Sequence, residues 1–162
     1  MFIYWCWQPT TTEMTGRSID AMLEQFETDT EFSNHLKDDY NPTEDSLGVV
    51  YVEFNQPVNS KSEQNRAILA PFAEEHNPFI SRTFLKQGLA ILAYCTMDRT
   101  PMARNRLNDV AMDIRTQYEK LGVPFFSTAS FIATSGELES VKAKAEEYSK
   151  LSVEKGTHWN EY

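Results

Sequence analysis

Hydrophobic positions along the chain follow two periods, and the places where one gives way to the other mark the elements. From Leu89 to Met97 every residue but Thr96 is apolar or small. In a strand, Leu89, Ile91, Ala93, Cys95 and Met97 share one face, and Ala90, Leu92, Tyr94 and Thr96 share the other. A strand apolar on both faces predicts a central position, covered on both sides. The period then lengthens. Leu107, Val110, Ala111, Ile114, Tyr118 and Leu121 recur at helical spacing, with Arg104, Asn105, Asn108, Asp109, Arg115, Gln117 and Glu119 mostly on the other side. Thr100 can cap this helix, Pro101 fits its first turn, and Gly122 and Pro124 stop it.

Upstream, Phe2 to Trp7 reads as an aromatic strand or arm, and Thr15 or Ser18 caps a helix carrying Ile19, Met22, Leu23 and Phe26. Thr28 and Glu31 match a capping box for a short second helix with Phe32 and Leu36. Lys37 to Ser46 is a polar loop. Leu47 to Phe54 is β-branched and aromatic, with Val50, Val52 and Phe54 on one strand face and Val49, Tyr51 and Glu53 on the other. Residues 55–77 are an irregular excursion with a short helix limited by Pro71; its length points to a functional or interface-making segment. Phe79 to Lys86 and the strand after Gly88 form a β-hairpin.

Downstream, Phe125 to Thr134 is a strand. Ser135 caps a last helix from Gly136 to about Val153, with a stripe of Leu138, Val141, Ala145, Tyr148 and Leu151. The expected fold is a single α+β domain, a sandwich with a mixed or antiparallel sheet of about four to five strands and two to three helices packed on it. It carries the aromatic strand or arm over residues 1–9 and a C-terminal helix plus aromatic tail over 136–162.

Composition narrows the function. The 162 residues, 41% of them hydrophobic, suffice for one buried core. A formal charge of −9 argues against a nucleic-acid partner and suits a basic protein partner or an assembly with acidic rims. No apolar run reaches the roughly 18 residues that suggest a membrane span, and the N-terminus lacks the basic flank of a signal peptide. Cys6 and Cys95 sit in apolar runs and read as buried free thiols; with His35, His76 and His158 scattered, no metal site is expected. Glycine-rich phosphate loops are missing from the sequence, and no cofactor is expected.

The chemistry-bearing residues fall into three groups. Asp38, Asp39, Glu44 and Asp45 form an acidic stretch that reads as a solvated loop rather than a divalent-ion site. His76 next to Glu74 and Glu75 has no third group to orient an acid–base pair. Asp98, Arg99 and Thr100 stand where a strand hands over to a helix, a position that favours anions but is most simply a cap. Met102, Arg104 and Arg106 make the first turns of that helix basic, which points to a contact with a neighbouring subunit's acidic loop. Trp5, Trp7, Trp159 and Tyr162 put aromatic side chains at the termini, where they serve equally well to dock a partner or to close the domain's own core. No nucleophile or general base accompanies any of these groups, so the chain is expected not to be an enzyme.

In its order of elements from about Ser18 to Thr134, the chain resembles the tail-terminator proteins of tailed bacteriophages. The resemblance is carried by the first helix, the strand Leu47–Phe54 broken at Asn55-Gln56-Pro57, the segment Pro78–Leu85, the Gly88–Met97 strand and the helix Pro101–Leu121. Such proteins form a ring that caps the tail tube and joins it to the head-side connector. The resemblance implies a homo-oligomeric ring, structural-protein partners, no catalytic residues, and a soluble protein of the virion or host cytoplasm. The aromatic strand before the first helix and the long last helix depart from the pattern. A small acidic inhibitor or immunity protein that blocks a basic partner fits the residues equally well, whereas an enzyme using the Asp98–Arg104 corner has the least support, because no general base or nucleophile accompanies that corner.

Overall fold

The computed structural model describes residues 29–41, 46–54, 68–73, 76–77, 79–86, 89–98, 100–122 and 126–161. The expected aromatic strand, the helix around Ile19–Phe26 and most of the 55–77 excursion lie outside them. The chain forms helix α1 (Asp29–Asp39), strands β1 (Ser46–Phe54), β2 (Arg82–Lys86) and β3 (Ala90–Met97), helix α2 (Pro101–Leu121), strand β4 (Phe126–Ile132), helix α3 (Leu138–Lys155) and strand β5 (Trp159–Glu161). A 3-10 turn, Ala70–Phe72, precedes β2. None of the described helices is long and apolar enough to cross a membrane.

The five strands make one mixed sheet in the order β2-β3-β1-β4-β5. Only the β4–β5 pair is parallel. The centre is β1, not β3: Val50 stands opposite Ala93 on one side and Ser130 on the other. Both strands are apolar on both faces, so their patterns show that each is interior but not which lies in the middle.

Alternation along β1 and β3 divides the core in two, as the face assignments from sequence require. Val50, Val52 and Phe54 join Ile91, Ala93, Cys95 and Met97 against α2, through Leu107, Val110, Ala111, Ile114 and Tyr118, and against the turn at Leu69 and Phe72. Val49, Tyr51, Leu92 and Tyr94 meet Phe32 and Leu36 of α1 and Leu138, Val141 and Ala145 of α3 on the other face. Cys95 is a buried free thiol. At Gly48 the α2 layer comes so close that an added Cβ would lie 2.6 Å from Met97 Sδ and 2.9 Å from Leu107 Cδ2.

Strands β3, β4 and β5 are mutually parallel, and the chain steps across the sheet in one direction, from β3 past β1 to β4 and then to β5. The first crossover helix lies on one face and the second on the opposite face. Two crossovers that advance the same way over opposite faces have opposite hands, so one of them breaks the right-handed preference of such connections.

The helix ends follow side-chain chemistry. Thr100 Oγ1 accepts from the Ala103 N–H at 3.2 Å, and Gly122, at φ 71°, closes α2. At α3 the expected cap differs: the helix starts at Leu138 with Glu137 in the cap position, and Ser135 Oγ accepts the Glu137 N–H at 3.0 Å just outside it. Its inward stripe also drifts. Ser149 and Ser152 are buried, while Tyr148 and Leu151 are only half-buried. The hydroxyls find partners on β4 and β1, which removes the cost of burying them. Beyond Gly156, at φ 70°, the expected aromatic tail contributes strand β5.

Candidate functional site

The amino end of α2 is built as the sequence indicates. Asp98 Oδ1 accepts from the Thr100 hydroxyl at 2.6 Å and from the Thr100 N–H at 3.2 Å. These two bonds, with a smaller contribution from Arg106, hold the exposed Asp98 carboxyl below the usual carboxylate range. Asp98 and Thr100 therefore serve as an interlocked cap. Around the cap, Met102, Arg104, Asn105 and Arg106 are exposed, Met102 at 72%. The Arg106 guanidinium lies 5.3 Å from the centre of the Phe79 ring.

The acidic stretch is not one loop. Asp38 and Asp39 belong to the last turn of α1, contrary to the loop expected from Lys37 onward. Asp39 is engaged internally, its Oδ2 accepting the Tyr94 hydroxyl at 2.7 Å. That bond fastens the end of α1 to β3 and gives the physical reason the helix runs on. Glu44, Asp45, Arg99, Trp5, Trp7 and Tyr162 lie outside the described residues. Trp159 is half-buried in β5, and its indole Nε1 is shielded from solvent without a partner. Asp38 and Asp39 share the carboxyl-terminal end of β3 with Arg104 and Arg106 but lie on the opposite face of the sheet.

Two clefts were not expected from the sequence. One, of about 600 Å³, lies between α2 and the chain entering β2, lined by His76, Asn77, Phe79, Arg106, Asp109, Val110 and Asp113. Its His76 Nε2 meets Asp113 Oδ2 at 3.0 Å. The partner is a carboxylate from α2; Glu74 and Glu75 lie outside the described residues. A carboxylate on one ring nitrogen is how a general base is oriented, but none of the lining residues carries a hydroxyl or thiol to activate.

The second cleft, of about 530 Å³, opens at the carboxyl end of β1 on the α3 face. Ser127 and Ser149 form its buried floor, Val153 one wall, and Glu53, Glu146, Lys150 and Glu154 its polar lining, while Phe54 borders it from the end of β1 with its ring turned to Tyr118 on the α2 face. Ser149 donates to Glu53 Oε1 at 3.1 Å and also bonds Ser127. Tyr51 donates to the same Glu53 oxygen at 3.5 Å. Burial, then the charges of Glu53 and Glu146, push the Tyr51 hydroxyl's pKa up, so it remains a donor. Three carboxylates against one ammonium, Lys150, leave the lining net negative, which suits a cationic group.

A third polar group is closed. His158 is buried between β4 and α2, with Nδ1 2.9 Å from Thr128 Oγ1 and Nε2 2.9 Å from Ser130 Oγ. Arg115 Nη1 donates to Thr128 Oγ1 at 3.0 Å. Burial and the Arg115 charge lower the His158 pKa to about 4, so the ring is neutral near pH 7. A serine beside a histidine suggests nucleophilic catalysis, but Ser130 is fully buried and both ring nitrogens are occupied. This group holds β5 to β4. Among the described residues, no three His, Cys, Asp or Glu side chains are placed to hold a metal ion.

Compared with family models, curated proteins and solved structures, the chain matches none of them.

Proposed function

We propose that the chain is a non-enzymatic assembly subunit that joins head to tail into a closed ring, the arrangement of the tail terminators it resembles, working between tail tube and head-side connector. The observation that carries this reading is the exposed, basic and apolar corner at the start of α2. Met102, Arg104 and Arg106 project from a helix capped at its amino end and closed at its carboxyl end, whose inner face is packed along its length. A corner so fixed loses little conformational freedom on docking. Two such corners facing each other would set arginine against arginine, so the corner calls for a different surface on its partner. Contacts between different surfaces of identical subunits generate rings when they close.

Native mass spectrometry tests this directly. The expected result is one closed species of fixed subunit number, six being the number the resemblance implies. A protein that is monomeric at every concentration, or that forms only a two-fold dimer, overturns the reading.

A further inference from the structure

We propose that the Glu53–Glu146–Glu154 cleft is the socket for the α2 corner of a second copy, with Arg104 entering beside Met102. The inference rests on the ring reading and names the contact that would close it.

Position is the first argument. The α2 corner follows the carboxyl end of β3, whereas the cleft lies at the opposite end of the sheet, where β1 ends and β4 begins. It also lies on the other face, since α2 and α3 cover different sides. Corner and socket therefore sit diagonally across one sandwich, too far apart to meet within a molecule and placed for successive molecules to link.

Chemistry is the second. The cleft offers Glu146 and Glu154, both exposed, beside the half-exposed Val153, and with Glu53 they outweigh the single cation, Lys150. An arginine brings a planar donor fork for carboxylates and an apolar stem for Val153. A methionine adapts to an irregular wall. The size limits the occupant: about 530 Å³ is the volume of a small-ligand pocket, enough for a pair of side chains. The expected acceptor for the corner was an acidic loop at Asp38–Asp45, but Asp38 and Asp39 belong to the last turn of α1.

Charge exchange tests the pairing, with native mass spectrometry and thermal melts of the full chain as readouts. Arg104→Glu and the pair Glu146→Arg with Glu154→Arg change exposed side chains; because the Glu146 charge also acts on Tyr51, the melts establish that each variant is folded before association is read. Each alone should weaken subunit association at least about tenfold, because like charges then face each other. Mixed in equal amounts they should reassemble, since both alternating contacts again join opposite charges. Rings that persist in both variants overturn the socket while leaving the ring reading intact. A monomeric wild type overturns both, and a monomer whose cleft captures an unrelated basic protein assigns the cleft to an inhibitor instead. Failure of the mixture to reassemble from folded variants also overturns the pairing.

Discussion

Over β1 and β3, the α2 face of the sheet packs aliphatic side chains and the Tyr118 ring carbon against carbon, and only over β4 does it carry the His158, Thr128, Ser130 and Arg115 hydrogen bonds. On the α3 face, the apolar contact of Leu138, Val141 and Ala145 gives way to Ser149 and Ser152, bonded to Glu53, Ser127 and the β4 backbone. The first kind of contact contributes roughly 1.5–3 kcal/mol for each fully buried large aliphatic side chain, the second about 0.5–1.5 kcal/mol net per hydrogen bond. The α2 face is thus the mechanical frame. The lower half of the α3 face gives up core volume, and the socket opens there.

Three measurements probe that contrast. Ile114→Ala, which empties a fully buried site on the α2 face, should cost about 2–5 kcal/mol in urea unfolding. A loss below about 1 kcal/mol would deny α2 its framing role.

Acid should act mainly through the polar seam at β5. With His158 near pKa 4 in the fold and about 6.5 unfolded, the unfolded chain binds more protons between those values. Stability contributed by the neutral ring is present above pH 6.5 and is lost as pH falls toward 4, by up to roughly 3 kcal/mol. A His158→Gln variant should show a shallower decline over that window; equal slopes would remove His158 from the account.

The smallest effect is the most discriminating. Ser149→Ala should cost about 1–2 kcal/mol by leaving a buried Ser127 hydroxyl without its partner, while Ser127→Ala with Ser149→Ala should cost no more than the single change. A strictly additive double variant would mean that the hydroxyls stabilise independently.

The contrast also explains what was legible in the sequence. Where carbon meets carbon, period alone reveals the element: the hairpin strands, both faces of β1 and β3, and α2 with its cap residues follow from spacing. Where burial is by hydrogen bond, spacing misleads. Ser149 and Ser152 look like solvent positions, and Tyr148 and Leu151 like core, until β4 is placed beside them. His158 reads as part of a loose tail because its partners, Thr128 and Ser130, lie before α3. His76 has glutamates next to it in sequence, yet its partner is Asp113. The α2 corner was visible because exposed charges announce themselves, and the socket was not, because three glutamates and two serines converge only in the fold.

The central position of β1 has a consequence for how the protein is made. This strand leaves the ribosome before either strand that will flank it, and its neighbours are supplied by residues 90–97 and then 126–132. The β2–β3 hairpin pairs locally and can join as a unit, whereas β4 must close a loop that includes the whole of α2. Until then β1 presents an unpaired edge of backbone N–H and C=O groups between two apolar faces to any other nascent chain, the situation in which non-local sheets fold slowly and associate wrongly. The middle of the sheet is begun first and completed only after most of the chain has emerged.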